Sequence, residues 1–317
     1  MSSVQAQLLP VKSQLLSIVL VSWNVRDHVV ACIESIVAHA GLAFEIVVVD
    51  NASGDGTREA CARFGATVDF VALDENLGFA RAVNIGLCRC SGDYVLLLNP
   101  DTVIFEGGLA AMRDFLEAHP EAGIAGPRLV DARGRMQFSA RKFPSLRTPF
   151  FGRSSLAWKI ARTNRLSMQE APGFGQASRG ALEVDWVVGA CLMFKRAVAE
   201  SIGLLDERFF LYWEDADWCL RAREQGWRTF WVREAEIMHA GQASSQKTPL
   251  RSVVLFHVSV FKYFQKNLNR QKSRALAFLV MWPIALRCVF VLLRTVLWRR
   301  QEKERKTGKK KKGKIKR

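Results

Sequence analysis

Phe209 to Cys219 reads FFLYWEDADWC. Three carboxylates, Glu214, Asp215 and Asp217, stand among Phe209, Phe210, Tyr212, Trp213 and Trp218, a company that otherwise belongs in a core. Carboxylates are rarely buried unless something pairs with them or uses them. Apolar neighbours raise a carboxyl pKa toward neutrality, which is what a general base requires. The aromatic side chains at 210, 212 and 213 could also form a wall for a bound ligand. A plainer use is open for Glu214 and Asp215, which fall at a predicted helix start and could simply cap it. Asp217 lies four residues before Arg221, the spacing of an ion pair along a helix, so its expected role is structural.

Four other groups of residues have the types and spacing for chemistry. Asp50 ends an apolar run and precedes a polar, glycine-rich turn, NASGDGT. It could serve a ligand at a strand end or cap the next helix. Gly78 sits in a turn before a helix bearing Arg81 and Asn84, three apart on one face, and a helix N-terminus with an arginine can hold phosphate. Asn99-Pro100-Asp101 closes another apolar run. A hard divalent cation bound with a diphosphate needs only one or two carboxylates, although an Asx turn would use the same residues. His239 follows a strand signal and opens a small-residue loop, AGQASS, where it is either a structural histidine or a ligand.

The elements that must position these groups alternate along the first hundred residues. Leu16–Ser22, Glu45–Asp50, DFVAL and YVLLLN read as buried strands. Between them, helices are expected after Asp27 (with Val29, Ile33, Ile36 and Val37 on one face), over DGTREACARF and over FARAVNIGLC. This alternation implies a parallel α/β sheet covered on both faces, with ligands at the carboxyl ends of its strands. Asp50 and Asn99 stand at two such ends. A further helix is expected over Phe105 to His119, stopped by Pro120. The pattern weakens over Met136 to Arg179, which reads as a variable insertion facing a substrate. It returns with two short strands around Gly189, a helix, the aromatic-acidic stretch, a helix through Arg223 and the strand WRTFWV.

The chain of 317 residues carries a formal net charge of +16. The last nineteen residues hold twelve Lys or Arg against two Glu, so most of the excess lies in a tail of the kind that seeks anionic lipid or nucleic acid. Before the tail come an amphipathic helix over PLRSVVLFHVSVFKYFQKNL and the most apolar segment, Ala275–Trp298. At 24 residues this segment could span a bilayer once, but one crossing would part the basic tail from the rest of the chain. An interfacial helix is therefore expected. The seven cysteines, odd in number and without a C-x-x-C pair, read as reduced core residues; Cys88 and Cys90 lack a second pair to complete a tetrahedral metal site. No secretory signal is evident at the N-terminus.

Taken jointly, VSWN, VVVDNASGDGT, ENLGFARAVNIG, LLNPDT, VVGACLMFKR, IGLLDERFFLYWEDADWCLRAREQGW and HAGQAS resemble glycosyltransferase family 2, in particular its rhamnosyltransferase-like branch. The matching stretches run in order from about Ser17 to Ser245. The resemblance implies a GT-A fold and transfer of a sugar, with inversion, from a nucleotide-diphosphate donor. It implies that Trp23 stacks near the base, that Asp50 hydrogen-bonds it, and that Asn76, Gly78, Arg81 and Asn99 belong to the donor site, with Arg81 near the diphosphate. Asp101 would bind Mg²⁺ or Mn²⁺, His239 would complete the metal or diphosphate site, and Asp215 would be the base, with Glu214 orienting the loop or the acceptor. Asn99 departs from the acidic residue of many members, which implies modest metal affinity that relies on the diphosphate.

The same resemblance points to L-rhamnose as the sugar, with galactose, glucose or an N-acetylhexosamine as alternatives, and to a lipid-linked glycan acceptor. Together with the apolar segment and the basic tail, it suggests an N-terminal extension (1–14), the catalytic domain (15–249), membrane-associating helices (250–298) and a disordered polybasic tail (299–317). The expected location is the cytoplasmic face of the cell membrane, with an anionic lipid surface as partner. A sugar nucleotidyltransferase would need a glycine-rich loop after the first strand, where VSWNVRDH has no glycine. A nucleic-acid-binding protein would explain the tail, but outside it no recognition motif appears and no nucleic-acid partner is expected.

Overall fold

The structure, a computed structural model, describes residues 12–143, 180–241, 248–270, 282 and 284–296. The polybasic tail, most of the N-terminal extension and most of the 136–179 segment lie outside the described residues. The chain divides into two compact units, Met1–Ser244 and Ser245–Arg317.

In the first unit, strands rich in Val, Ile and Leu alternate with helices as their composition requires. The order begins β1 (Lys12–Ser22), α1 (Arg26–His39), β2 (Phe44–Asp50), α2 (Thr57–Ala62), β3 (Val68–Ala72), α3 (Phe79–Leu87) and β4 (Gly92–Leu98). Strands β3, β2, β1 and β4 lie side by side, all parallel. The chain winds outward from β1 in both directions, and such a sheet leaves a crevice at the carboxyl ends of its central strands. Ile18 and Leu20 of β1, Val48 of β2 and Leu96 and Leu98 of β4 form a core with Val29, Cys32, Ile33 and Ile36 of α1. Val37, expected on that stripe, is 53% exposed. At 100° per residue it sits at the stripe's edge, beyond the reach of the sheet.

The second half of the sheet is mixed. β5 (Thr102–Ile104), α4 (Gly108–Ala118) and β6 (Ala122–Val130) follow β4, and later come β8 (Ala181–Val184), β10 (Cys191–Lys195) and α5 (Arg196–Ile202). α6 (Glu214–Glu224) and β11 (Arg228–His239) complete the unit. β10 runs antiparallel between β4 and β6, β6 pairs parallel with β11, and β11 pairs antiparallel with β5 and β8. β7 (Ala140–Arg141) and β9 (Trp186–Val187) form a separate two-stranded ribbon.

α4 and β11 depart from the sequence expectation in their bounds. α4 starts at Gly108 and not at Phe105, which is 40% exposed in the preceding turn. β11 runs twelve residues, well past WRTFWV, because a register shift between Val232 and Glu236 lets it continue through REAE to reach β5. All seven cysteines are free, and five of them are buried, as reduced core residues should be.

In the second unit, α7 (Pro249–Arg270) is the amphipathic helix expected from its sequence, and residues 284–296 are helical. Among the described residues no helix is long and apolar enough to cross a membrane.

Candidate active site

The strand ends collect most of the residues singled out above. Ser22, the last residue of β1, lies beside Asp50 of β2, and Trp23 follows half-buried. Asp50, 5% exposed, accepts from the Ser53 amide at 2.9 Å and the Ser53 hydroxyl at 2.6 Å. That turn is tied to β1 by the Asn24 amide, which donates to the Ser53 hydroxyl at 2.7 Å. Asp50 therefore shapes the turn and does not cap α2, whose N-cap is Gly56.

Next to Asp50, buried Asn51 accepts from the Leu77 amide at 3.1 Å and donates to the Gly78 carbonyl at 3.2 Å. The side chain of Asn76 accepts from the Gly78 amide at 3.0 Å, closing an Asx turn. Gly78 begins α3 with φ +88° and ψ 173°, a conformation essentially confined to glycine. Arg81 is exposed, 3.8 Å from Glu207. Its helical neighbour Asn84 is buried and clamps a loop: it donates to the Leu205 carbonyl at 2.9 Å and accepts from the Leu205 amide at 2.9 Å. Asn84 thus positions the segment that leads to the aromatic-acidic stretch, a task its spacing from Arg81 did not disclose.

The Asn99-Pro100-Asp101 turn is closed through the main-chain oxygen of Asn99, which accepts from the Thr102 amide at 3.2 Å and hydroxyl at 2.7 Å. β11 carries His239 into register with Thr102. This brings His239 Nε2 to 3.4 Å from Asp101 Oδ1, and Asp101 is only 7% exposed. The gap exceeds an ordinary hydrogen bond. A buried carboxylate and an imidazole facing one another across it suit a hard divalent cation, which takes few protein ligands when diphosphate and water supply the rest. Among the described residues no group of three or more His, Cys, Asp or Glu gathers for a metal, so a cation here would rest on these two protein ligands.

Glu214 and Asp215 occupy the first turn of α6, where the helix dipole favours negative charge. Tyr212 and Trp213 precede them with φ of +69° and +73°, a left-handed pair without glycine. Such strain persists only where surroundings enforce it, and it concentrates at functional sites. Asp215 is half-buried and accepts from the Gly189 amide at 2.9 Å and the Ala216 amide at 2.8 Å. Burial raises its pKa, while those two amides and the charge of Arg141 oppose the rise. Glu214 is 4% exposed, and its Oε2 has no hydrogen-bond partner. Burial first, then the Asp215 charge, pushes it well above the ordinary glutamate range. The two environments sort the pair: Glu214 holds a proton more readily than Asp215.

Asp217, 1% exposed, pairs with Arg221 at 3.2 Å, and Arg221 also donates to the carbonyls of Ile202 at 2.6 Å and Leu204 at 2.7 Å. This is the structural role expected from the spacing. Two residues without a sequence signal stand beside the acids. The indole of Trp186 lies 6.4 Å from that of Trp213, and the Arg141 guanidinium lies 5.3 Å from the Trp186 ring. They add an aromatic and cationic surface to the wall expected from residues 210–213.

Gly189 and Ala190 join the two halves of the site. The amide of Gly189 holds Asp215, and the carbonyl of Ala190 accepts from the Asn99 amide at 2.9 Å. Asp215 and the turn bearing Asp101 are thus held to consecutive residues.

Known proteins resemble this chain in sequence and in fold. The N-acetylglucosaminyl-diphospho-decaprenol L-rhamnosyltransferase of Mycobacterium tuberculosis is 29% identical over 273 residues, covering 78% of this chain and 83% of the relative. The low-salt glycan biosynthesis hexosyltransferase of Haloferax volcanii is 26% identical over 216 residues, 66% of this chain and 62% of the relative. Among solved structures, the mannosyltransferase of Pyrobaculum calidifontis in complex with GDP-Man and Mn²⁺ superposes with a TM-score of 0.55 at 17% identity, covering 90% of this chain and 74% of that one. The fold is that of the GT-A glycosyltransferases. The model of glycosyl transferase family 2 matches residues 17–203, and the chain belongs to that family.

Proposed function

We propose that this enzyme transfers a sugar, L-rhamnose first among the candidates, with inversion from a nucleotide-diphosphate donor to a lipid-linked glycan acceptor. The observation that carries the reading is the pairing of two unlike sites through Gly189 and Ala190. One is a carboxylate pair, Glu214 buried and Asp215 half-buried, beside an aromatic wall, and the other an Asp101–His239 pair suited to a cation. In the reaction Asp215 takes the proton of the acceptor hydroxyl as its oxygen attacks the anomeric carbon opposite the diphosphate. Glu214, whose burial favours its protonated form, orients the loop or the acceptor beside it. Trp213 presents its ring to a sugar, and buried Trp186 backs it. Asp101 and His239 would hold Mg²⁺ or Mn²⁺, and the ion would neutralise the departing diphosphate. The Mn²⁺ bound in the Pyrobaculum structure supports a divalent cation in this fold.

The rhamnosyl donor and an acceptor of the lipid-diphosphate-N-acetylglucosamine kind rest on the mycobacterial relative. A membrane partner is supported by the second unit. On the helix over 284–296, Ile284 is buried, whereas Leu286, Val289, Phe290 and Leu293 are 55–66% exposed along the opposite face. Arg287 stacks 5.8 Å from the Phe256 ring of α7, and Arg294 is exposed at the stripe's margin. An unburied apolar stripe followed by a cationic tail is the pattern of an interfacial helix on anionic lipid. The nucleotide sugar then places the enzyme at the cytoplasmic face.

The test is a panel of nucleotide sugars titrated by calorimetry with Mn²⁺, with Mg²⁺ and with chelator, followed by turnover on lipid-linked acceptors. Metal-dependent binding of dTDP-rhamnose, lost in Asp101→Ala, is expected. Preference for a galactose, glucose or N-acetylhexosamine donor would replace rhamnose, and full turnover of Asp101→Ala in chelator would overturn the cation site.

A further inference from the structure

The imidazole of His239 has a second partner besides Asp101. Gln137 Nε2 lies 2.6 Å from the main-chain oxygen of His239, and Gln137 Oε1 lies 2.8 Å from His239 Nδ1. These two contacts determine where the ring proton resides. A carbonyl oxygen can only accept, so the amide nitrogen of Gln137 must be the atom facing it. The amide oxygen then faces Nδ1, and it too can only accept, so Nδ1 carries the hydrogen. In the neutral ring, Nε2 is left with its lone pair directed at the cleft it shares with Asp101, 3.4 Å away.

Without that constraint the ring has a better alternative for itself. A proton on Nε2 would be drawn to the carboxylate of Asp101, and the histidine would cover the carboxylate instead of joining it as a ligand. Gln137 is well placed to prevent this. Its own amide donates to the Leu129 carbonyl at 2.7 Å, and its carbonyl accepts from the Ser139 amide at 3.1 Å. The Ser139 hydroxyl donates to the Pro127 carbonyl at 2.8 Å, so the segment is pinned to β6 from both sides.

We propose that Gln137 is the positioning residue of the cation site, holding His239 in the Nδ1–H tautomer so that Nε2 is open to a divalent ion. The inference rests on reading Asp101 and His239 as the ion's ligands. A ligand histidine whose other nitrogen donates to a fixed acceptor binds metal better, and loss of such a partner weakens binding roughly 10–100-fold.

The experiment uses the full chain, metal-free, with histidines labelled with ¹⁵N, at a pH where the rings are neutral. Long-range ¹H–¹⁵N correlation spectra report the tautomer of each ring, and His239→Ala assigns the signal of interest. The wild type should show Nδ1 protonated and Nε2 bare. Gln137→Leu should shift the ring toward Nε2–H and lower Mn²⁺ affinity, measured by electron paramagnetic resonance with nucleoside diphosphate present, by roughly 10–100-fold. Gln137→Glu keeps an acceptor opposite Nδ1 and should restore the tautomer and part of the affinity. Wild-type His239 found as Nε2–H overturns the inference even if Gln137→Leu fails to fold. So does a folded Gln137→Leu with unchanged tautomer and Mn²⁺ affinity. If Asp101→Ala and His239→Ala leave Mn²⁺ binding intact, it is the cation-site reading that fails, because the tautomer is measured without metal.

Discussion

The main-chain oxygen of Phe210 lies where a side chain on Gly78 would begin: a Cβ built there would fall 2.6 Å from it. The same oxygen accepts from the Phe79 amide at 2.7 Å. The turn that opens α3 and the loop that leads to Asp215 are thus in main-chain contact. Gly78→Ala should displace that loop and also strain the turn, since its φ is +88°. The expected outcome is a folded protein, less stable by about 1–3 kcal/mol, with turnover reduced roughly 10²-fold through misplacement of the base. Thermal unfolding and steady-state kinetics check this, and wild-type turnover would show that the contact does not position the loop.

Asp215→Asn should leave the fold and donor affinity intact and slow transfer roughly 10²–10⁴-fold, the usual worth of a positioned base. Glu214→Gln should cost less, because a neutral side chain of the same shape replaces a carboxyl that holds its proton. As burial raises the Asp215 pKa, the acid limb of the wild-type pH–rate profile should lie above the ordinary aspartate range. Turnover and donor affinity of both variants, followed over pH, decide the matter; near-normal turnover in Asp215→Asn would assign the base elsewhere.

Stability should also depend on pH through Glu214. Its pKa in the folded protein is raised, so the native state binds a proton that the unfolded chain releases earlier. That contribution is fully present below the ordinary glutamate range and is lost as pH rises through the raised folded value. Glu214→Gln should flatten this slope and, at the alkaline end of the window, be the more stable protein. Denaturant midpoints over the pH range measure it, and parallel slopes for the two proteins would refute the assignment.

Removal of the residues after Asn269 should release the protein from anionic vesicles, while removal of the polybasic tail alone should weaken binding and leave what remains less salt-sensitive. The exposed Phe290 and Leu293 supply a separate arm. Replacing both with Ser should reduce binding at high salt, where charge is screened and apolar burial remains. Cosedimentation with vesicles reads all four proteins, and undiminished low-salt binding of the chain ending at Asn269 would place the membrane contact before residue 270 and overturn the interfacial helix.

The parallel half of the sheet was legible because buried strands announce themselves locally. Runs such as IVLV in β1 and VLLL in β4 are apolar and bounded by turn residues, and the Asp217–Arg221 pair follows from helical spacing alone. β6 was not legible, since Gly123, Gly126 and Pro127 read as breakers. In the fold a Cβ at Gly126 would lie 2.7 Å from that of Val187, so the glycine answers to a neighbour far along the chain. The site divides in the same way. Its carboxylates and His239 stood out as residue types, and the family resemblance suggested roles for them. Their mutual placement had no such signal. β11 reaches Asp101 only by continuing past an irregularity. Asn51, Asn84 and Gln137 each act through two or more hydrogen bonds to residues distant in the chain, and Tyr212 and Trp213 adopt left-handed backbone that neither side chain favours. The sequence by itself determined which segments would be buried and in what local form, because periodicity and capping are short-range. Which carboxylate keeps its proton, and which histidine nitrogen faces Asp101, were decided only when long-range packing set the burial and the hydrogen-bond partners of each group.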